Sequence, residues 1–306
     1  MSRLSEQEPE TSPVESCDPV AMVVTPKPSD IGAFEVRRAL PSAKCRSLGP
    51  FVFLDQMGPA ELTPQTLLDV RPHPHIGLST VTWMLTGEIM HRDSLGSAEV
   101  IRPGELNWMT SGSGIVHSER TPPHLRDRKS PLFGVQCWVA LPADKQEIAP
   151  AFVHYAAGDI PVYESKGVRA IVAIGSAWEL TSPVEPVSET MLLQIDLEAG
   201  ATVTLPNDYQ ERGIYLLTGR VSLAGETFDP ERLLILNEGD TVSVTALDPA
   251  CFMMLGGAPL DGPRHMYWNF VHTDRERIEK AKEDWTGRRF PVVPGDDTEW
   301  IPLPGT

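Results

Sequence analysis

From Phe34 onward the chain alternates short apolar runs with turn signals such as Gly49-Pro50, Gly58-Pro59, Arg102-Pro103-Gly104 and Ser111-Gly112-Ser113-Gly114. The runs at 78–85, 133–141 and 168–174 are rich in β-branched and aromatic residues. Many short strands separated by Gly and Pro turns predict an all-β sandwich or barrel. The pattern changes near the C-terminus. Thr273 followed by Glu276 forms a capping-box pattern, Ile278, Ala281 and Trp285 recur at helical spacing, and Gly287 follows. This predicts one short helix that packs Trp285 against a barrel, then an extended tail over 290–304. Residues 1–30 carry Pro9, Pro13, Pro19, Pro26 and Pro28 with acidic residues between them, so they are predicted to be a disordered acidic arm.

The pattern also repeats. Trp83-Met84-Leu85-Thr86-Gly87-Glu88-Ile89 resembles Tyr215-Leu216-Leu217-Thr218-Gly219-Arg220-Val221, and Arg102-Pro103-Gly104-Glu105 resembles Asn237-Glu238-Gly239-Asp240, at nearly the same offset. Two copies of one β-domain are predicted, over 31–150 and 151–306.

Composition narrows the function. The chain has 306 residues and a formal charge of −16, with no run of Lys and Arg, so direct binding to nucleic acid is disfavoured. No apolar stretch is long enough to span a membrane, and no leader pattern opens the chain, so a soluble cytoplasmic protein is expected. Cys17, Cys45, Cys137 and Cys251 stand far apart with no Cys-x-x-Cys pair, so they read as core residues without a catalytic role.

The candidate chemistry lies in the first copy. His73-Pro74-His75 is a His-x-His pair, and His117-Ser118-Glu119 is a His-x-Glu pair. Residues i and i+2 of a strand share a face, so two such strands can offer three imidazoles and one carboxylate to a single cavity. That set fills four positions of a metal shell and leaves room for substrate or O₂ at an octahedral ion. Each pair alone fits half-buried polar residues or a solvated face equally well; only the combination points to a metal. Sliding the first copy onto the second places Leu205, Asn207, Phe252 and Met254 at the four ligand positions, so a metal belongs to the first copy alone. His91-x-Asp93 is the rival pair and is expected near the barrel mouth as a partner of a ligand. Trp83, Trp108 and Trp138 read mainly as core, with one or two available to line an aromatic pocket.

The runs 71–77, 101–110 and 112–119 closely resemble the pirin family, two-domain members of the cupin superfamily; 49–55, 268–271 and 275–278 are similar to its terminal signatures. The resemblance implies a bicupin: two antiparallel jelly-roll β-barrels with a short C-terminal helix. It also implies that His73, His75, His117 and Glu119 are metal ligands, with Fe²⁺ the expected ion and other first-row ions acceptable. Ser79 stands where the general cupin pattern has a glutamate, and Ile76 where many relatives have arginine, which implies a less charged cavity mouth.

Two functions follow from the resemblance. One is a quercetin 2,3-dioxygenase-like oxidoreductase that opens the ring of a flavonol with O₂, the flavonol's 3-hydroxyl binding the metal as its anion and Glu119 acting as catalytic base. The other is a non-catalytic iron-binding redox sensor that engages a regulatory protein partner. The absence of a nuclear-targeting basic cluster favours the enzyme.

Overall fold

The computed structural model describes residues 10–12, 19–30 and 35–305. Each half is built from two antiparallel sheets. In the first half a seven-stranded sheet runs in the order Ala151–Tyr155, Leu106–Thr110, Leu78–Thr86, Ser130–Ala140, Phe51–Leu62, Glu35–Leu40, Lys27–Asp30. It faces a four-stranded sheet ordered Asp69–His75, Ile115–Arg120, Ile89–Asp93, Ala98–Ile101. The second half has an eight-stranded sheet containing, in order, Val20–Thr25, Arg232–Leu236, Glu211–Thr218, Ala250–Gly257, Thr190–Leu197 and Val168–Ile174. Its four-stranded sheet is ordered Thr202–Thr204, Ser243–Ala246, Val221–Leu223, Glu226–Phe228. The small sheets of both halves connect their strands in the same order, first-fourth-second-third, and the central strands of the large sheets also match. The duplication is a property of the topology.

Period-2 alternation separates three interiors. On Ser130–Ala140, Val135, Cys137 and Val139 enter a core shared by the two large sheets, together with Trp83, Trp108, Tyr215, Met253 and Leu255. Gln136 and Trp138 point the other way and line a cleft. In the second half, Leu205, Ile214, Phe252, Met254, Val242 and Val244 fill the corresponding interior with hydrocarbon. The halves are also joined by polar bonds: Trp83 Nε1 donates to Gln194 Oε1 at 2.8 Å, and Tyr215 Oη donates to Gln56 Oε1 at 2.8 Å.

Five sequence expectations change. Residues 1–30 are not an unstructured arm where they are described: Val20–Thr25 pairs with Arg232–Leu236 in the second half's large sheet, and Lys27–Asp30 pairs with Glu35–Leu40 in the first. Val20 and Val24 are buried, which is enough to hold the strand despite the flanking prolines. Residues 1–9 and 13–18, with Cys17, lie outside the described residues.

The boundary at 150 moves as well, because Ala151–Tyr155 pairs with Leu106–Thr110 and closes the first half's sheet. The turns at 102–105 and 237–240 are not equivalent: the first precedes Leu106–Thr110, whereas the second follows that strand's counterpart, Arg232–Leu236. The offset is kept up to Ile89–Asp93 and its counterpart Val221–Leu223 and is lost in the hairpins that follow, where the loop 94–97 is longer than the loop 224–225. The counterparts of His117 and Glu119 are therefore Val242 and Val244 on the Ser243–Ala246 side, in place of Phe252 and Met254; Leu205 N donates to Val242 O as the partner geometry requires. The second half still offers no imidazole or carboxylate at these positions.

The C-terminal helix, Arg275–Thr286, buries Ile278, Ala281 and Trp285 as expected. Its cap is Asp274, whose side chain accepts from Glu276 N at 2.9 Å; Thr273 is instead occupied with Gln146 Oε1. The helix packs on the first half, where Trp285 joins Ile76, Val116, Trp268 and Phe270. Its indole donates to Ile301 O at 3.0 Å, Arg120 forks onto Asp296 at 2.6 and 2.7 Å, and Ile301 N donates to Pro72 O. The segment following the second half thus returns to cover the small sheet of the first.

Candidate metal centre

The two ligand-bearing strands lie side by side. Ile115–Arg120 pairs with Asp69–His75 so that His117 stands opposite His73, and Ile115 opposite His75. A bulge between His117 and Glu119 adds one residue on the Asp69–His75 side, which brings Val70, His73 and His75 onto one face. Gly77 then ends the run with φ +70, at a point where its backbone passes so close to Val271 that a Cβ could not fit. This close passage seats the C-terminal segment over the histidines.

The nitrogens of His73, His75 and His117 converge within 4.8 Å of one another, and all three rings are buried. His73 Nδ1 donates to Arg71 O at 2.9 Å, which leaves Nε2 free. His117 Nδ1 lies 3.4 Å from His91 Nδ1, and His91 Nε2 lies 3.0 Å from Asp93 Oδ2. The proton arrangement that satisfies this chain has His91 donating to Asp93 and His117 donating to His91. The unprotonated His117 Nε2 then faces His75 Nε2 at 3.1 Å. Two inward ring nitrogens at this separation can share one proton at most, and a cation between them satisfies both. Three nitrogen donors in a buried site fit a first-row transition ion.

Burial sets the protonation states. It pushes His73 down to about 4, against the opposing pull of the Arg71 carbonyl. His75 and His117 fall well below the ordinary imidazole range, from burial first and then from the neighbouring imidazoles, with the Asn269 backbone opposing this at His75. All three are neutral at physiological pH and ready to ligate without releasing protons. The sign of the pH effect follows: an unfolded chain takes up these protons below about pH 6.5 while the folded metal-free chain does not, so the three rings destabilise the fold as pH falls. Thermal melts of metal-free protein between pH 7 and 4 are expected to show this loss, and a His73→Asn variant to show a shallower one.

Glu119 lines the same cleft but lies outside the three-imidazole cluster. Its Oε1 accepts from Gln136 Nε2 at 2.8 Å and from Thr82 Oγ1 at 3.3 Å, leaving Oε2 unengaged by either donor. Burial raises its affinity for a proton, and the Gln136 and Thr82 donors oppose this. The walls of the cleft include Phe53, Leu68, Val70, Ile89, Trp138, Trp268 and Ile301. Trp138 stacks on Phe53 at 4.0 Å and meets His75 edge-on at 5.2 Å. Beside them Asp55 forms a buried two-point pair with Arg38, at 2.9 and 2.7 Å.

His91 is buried against His117 and stacked on Phe152, in place of the expected barrel mouth. Ile76 and Ser79 do not form a cavity mouth: Ile76 packs under the C-terminal helix and Ser79 Oγ bonds Thr110 Oγ1. Trp83 and Trp108 are core, whereas Trp138 lines the cleft. Sequence reading missed Thr82, Gln136 and the contribution of 268–269 and Ile301. Gln136 had a signal, as a polar residue within an alternating apolar strand, but the return of the C-terminal segment had none.

Comparison with known proteins places the chain. Residues 33–139 match the Pirin family profile, and residues 192–291 match the profile described as the Pirin C-terminal cupin domain. The chain belongs to the pirin family. A pirin-like protein of Caulobacter vibrioides is 44% identical, over 93% of this chain and 99% of that one. The crystal structure of quercetin 2,3-dioxygenase from Acinetobacter baumannii superposes with a TM-score of 0.86 at 33% identity, covering 93% of this chain and 95% of that one. A bacterial pirin from Escherichia coli, crystallised in complex with nickel(II), shares the fold with a TM-score of 0.61 at 17% identity, over 77% of this chain and 96% of that one. This pirin is thus a bicupin with a three-histidine group able to hold a metal ion in its first half. Among its described residues no helix is long and apolar enough to cross a membrane.

Proposed function

We propose that this pirin is an iron-dependent dioxygenase that opens the ring of a flavonol such as quercetin with O₂. The observation that carries the proposal is the convergence of three neutral, buried imidazoles, two of which line a cleft with aromatic and aliphatic walls and one proton-accepting carboxylate. His73, His75 and His117 would hold the ion, with Glu119 as the fourth ligand. The ion supplies a Lewis acid that acidifies a phenolic hydroxyl and a place where substrate and O₂ meet.

The chain's own residues do the rest. Phe53 and Trp138 present a stacked pair against which a flat ring system packs. Gln136 and Thr82 fix Glu119 through Oε1, so Oε2 receives the proton of the flavonol's 3-hydroxyl. Burial of the carboxyl raises its basicity and suits it to that exchange. The C-terminal segment covers the site, and Trp268 and Ile301 restrict water there. Cys45, Cys137 and Cys251 are buried free thiols, which supports a cytoplasmic setting.

Protein loaded with ferrous iron under anaerobic conditions and then exposed to quercetin and air is expected to bleach the flavonol absorbance and to take up O₂ in step. If the loaded protein leaves quercetin intact while a known quercetinase consumes it, the enzyme reading fails and the non-catalytic iron sensor takes its place.

A further inference from the structure

Two polar atoms around the metal cleft, besides His75 itself, have no hydrogen-bond partner although they are shut away from water: Trp138 Nε1 and Asn269 Oδ1. Both residues are almost wholly buried, at 3% and 2% exposure. A buried donor or acceptor left unpaired is costly, and the large majority of buried polar groups in natural folds have a partner. They are complementary, since an indole N–H only donates and an amide oxygen only accepts.

They also come from opposite sides of the fold. Trp138 stands on the large sheet of the first half, two residues from Gln136, which holds Glu119. Asn269 lies between the short strands His265–Tyr267 and Phe270–His272 in the segment that returns over the site, and its neighbour Phe270 bridges to Ile76, adjacent to His75. The other polar groups of the cleft are already engaged. Asp55 is bound by Arg38, Gln136 donates to Glu119, and Glu119 Oε1 takes two donors.

We propose that Trp138 and Asn269 form a donor–acceptor pair that selects the ligand: Trp138 Nε1–H donates to a ring carbonyl, and Asn269 Oδ1 accepts from a second hydroxyl beside that carbonyl. The favoured ligand class is then an aromatic ketone flanked by hydroxyls on both sides, one for the proton-accepting Glu119 and one for Asn269. This rests on the flavonol reading above and adds to it two positioning residues and the hydroxyl pattern they recognise. Asn269 makes the C-terminal segment part of the recognition surface as well as a cover.

The test is anaerobic binding, followed by ligand absorbance and tryptophan quenching, of 3-hydroxyflavone and 3,5-dihydroxyflavone to full-length protein loaded with ferrous iron. Wild type is expected to bind the dihydroxy compound about 10-fold more tightly, the effect of one hydrogen bond. Asn269→Leu is expected to abolish that preference and leave the affinity for 3-hydroxyflavone within about twofold. Trp138→Phe keeps an aromatic ring beside Phe53 but removes the N–H together with part of the indole, so it is expected to weaken both ligands about 5- to 10-fold and preserve the preference. Iron content per chain is expected to be unchanged in both variants. If wild type binds neither flavonol, the flavonol reading falls and this inference with it. If both bind but Asn269→Leu retains the preference, or Trp138→Phe binds like wild type, the pair is refuted and the flavonol reading stands.

Discussion

Replacing His117 by alanine is expected to strip the metal from this pirin. His117 is the imidazole on which the site's geometry centres: its ring lies 4.3 Å from that of His73, 5.0 Å from that of His75 and 5.3 Å from that of His91. Removing it deletes one of three nitrogen donors and leaves His91 and Asp93 with no ligand to orient. Loss of a residue that merely supports a ligand costs 10- to 100-fold in metal affinity, so loss of the ligand itself is expected to cost at least about 100-fold. Iron bound per chain after dialysis, measured by elemental analysis, checks this against a His154→Ala control. His154 sits on the edge strand Ala151–Tyr155 bonded to Asn107 and is not one of the converging rings, so its loss is expected to leave iron content unchanged. Equal iron retention by both variants would contradict the assignment.

Glu119→Gln is expected to produce the second large effect, and a different one. The amide keeps the size of the side chain and an oxygen that still accepts from Gln136 and Thr82, so the cleft keeps its shape. It cannot take up a proton. Positioned general bases contribute about 10²- to 10⁴-fold, and a fall in flavonol turnover of that size is expected. Three imidazoles remain, so iron affinity is expected to fall much less than in His117→Ala. Steady-state O₂ uptake together with iron content separates the two effects. A variant that keeps its iron and turns over quercetin at the wild-type rate would remove Glu119 from the chemistry.

Much of this site was legible because strand geometry is short-range. His73 and His75 share a face through the period of two, and so do His117 and Glu119; the cross-strand pairing of His117 with His73 needed only that the strands be neighbours. Glu119 shows the limit of that reasoning. The period gives it the right face, but Gln136 and Thr82, from two other strands, engage one of its carboxylate oxygens, and Glu119 does not join the group of three converging imidazoles. Other features depend on long-range returns that leave no local trace. Val20–Thr25 looks like part of a proline-rich arm and becomes a strand only because Arg232–Leu236 offers it an edge. Trp268, Asn269 and Ile301 reach the cleft because the chain crosses back after completing the second half, a path fixed by Arg120 with Asp296 and by Trp285 with the Ile301 carbonyl. The second half's ligand positions were misplaced for a related reason: an offset holds only while loop lengths match, and here it breaks before the strand that carries Val242's neighbours.

X-ray absorption of the full chain loaded with one equivalent of ferrous iron tests the three-imidazole centre most directly. One tightly held ion per chain, with the scattering signature of three histidine rings that drops to two in His73→Ala, is the expected result. An ion with fewer than three imidazoles in its shell, or a spectrum that His73→Ala leaves unaltered, would contradict it.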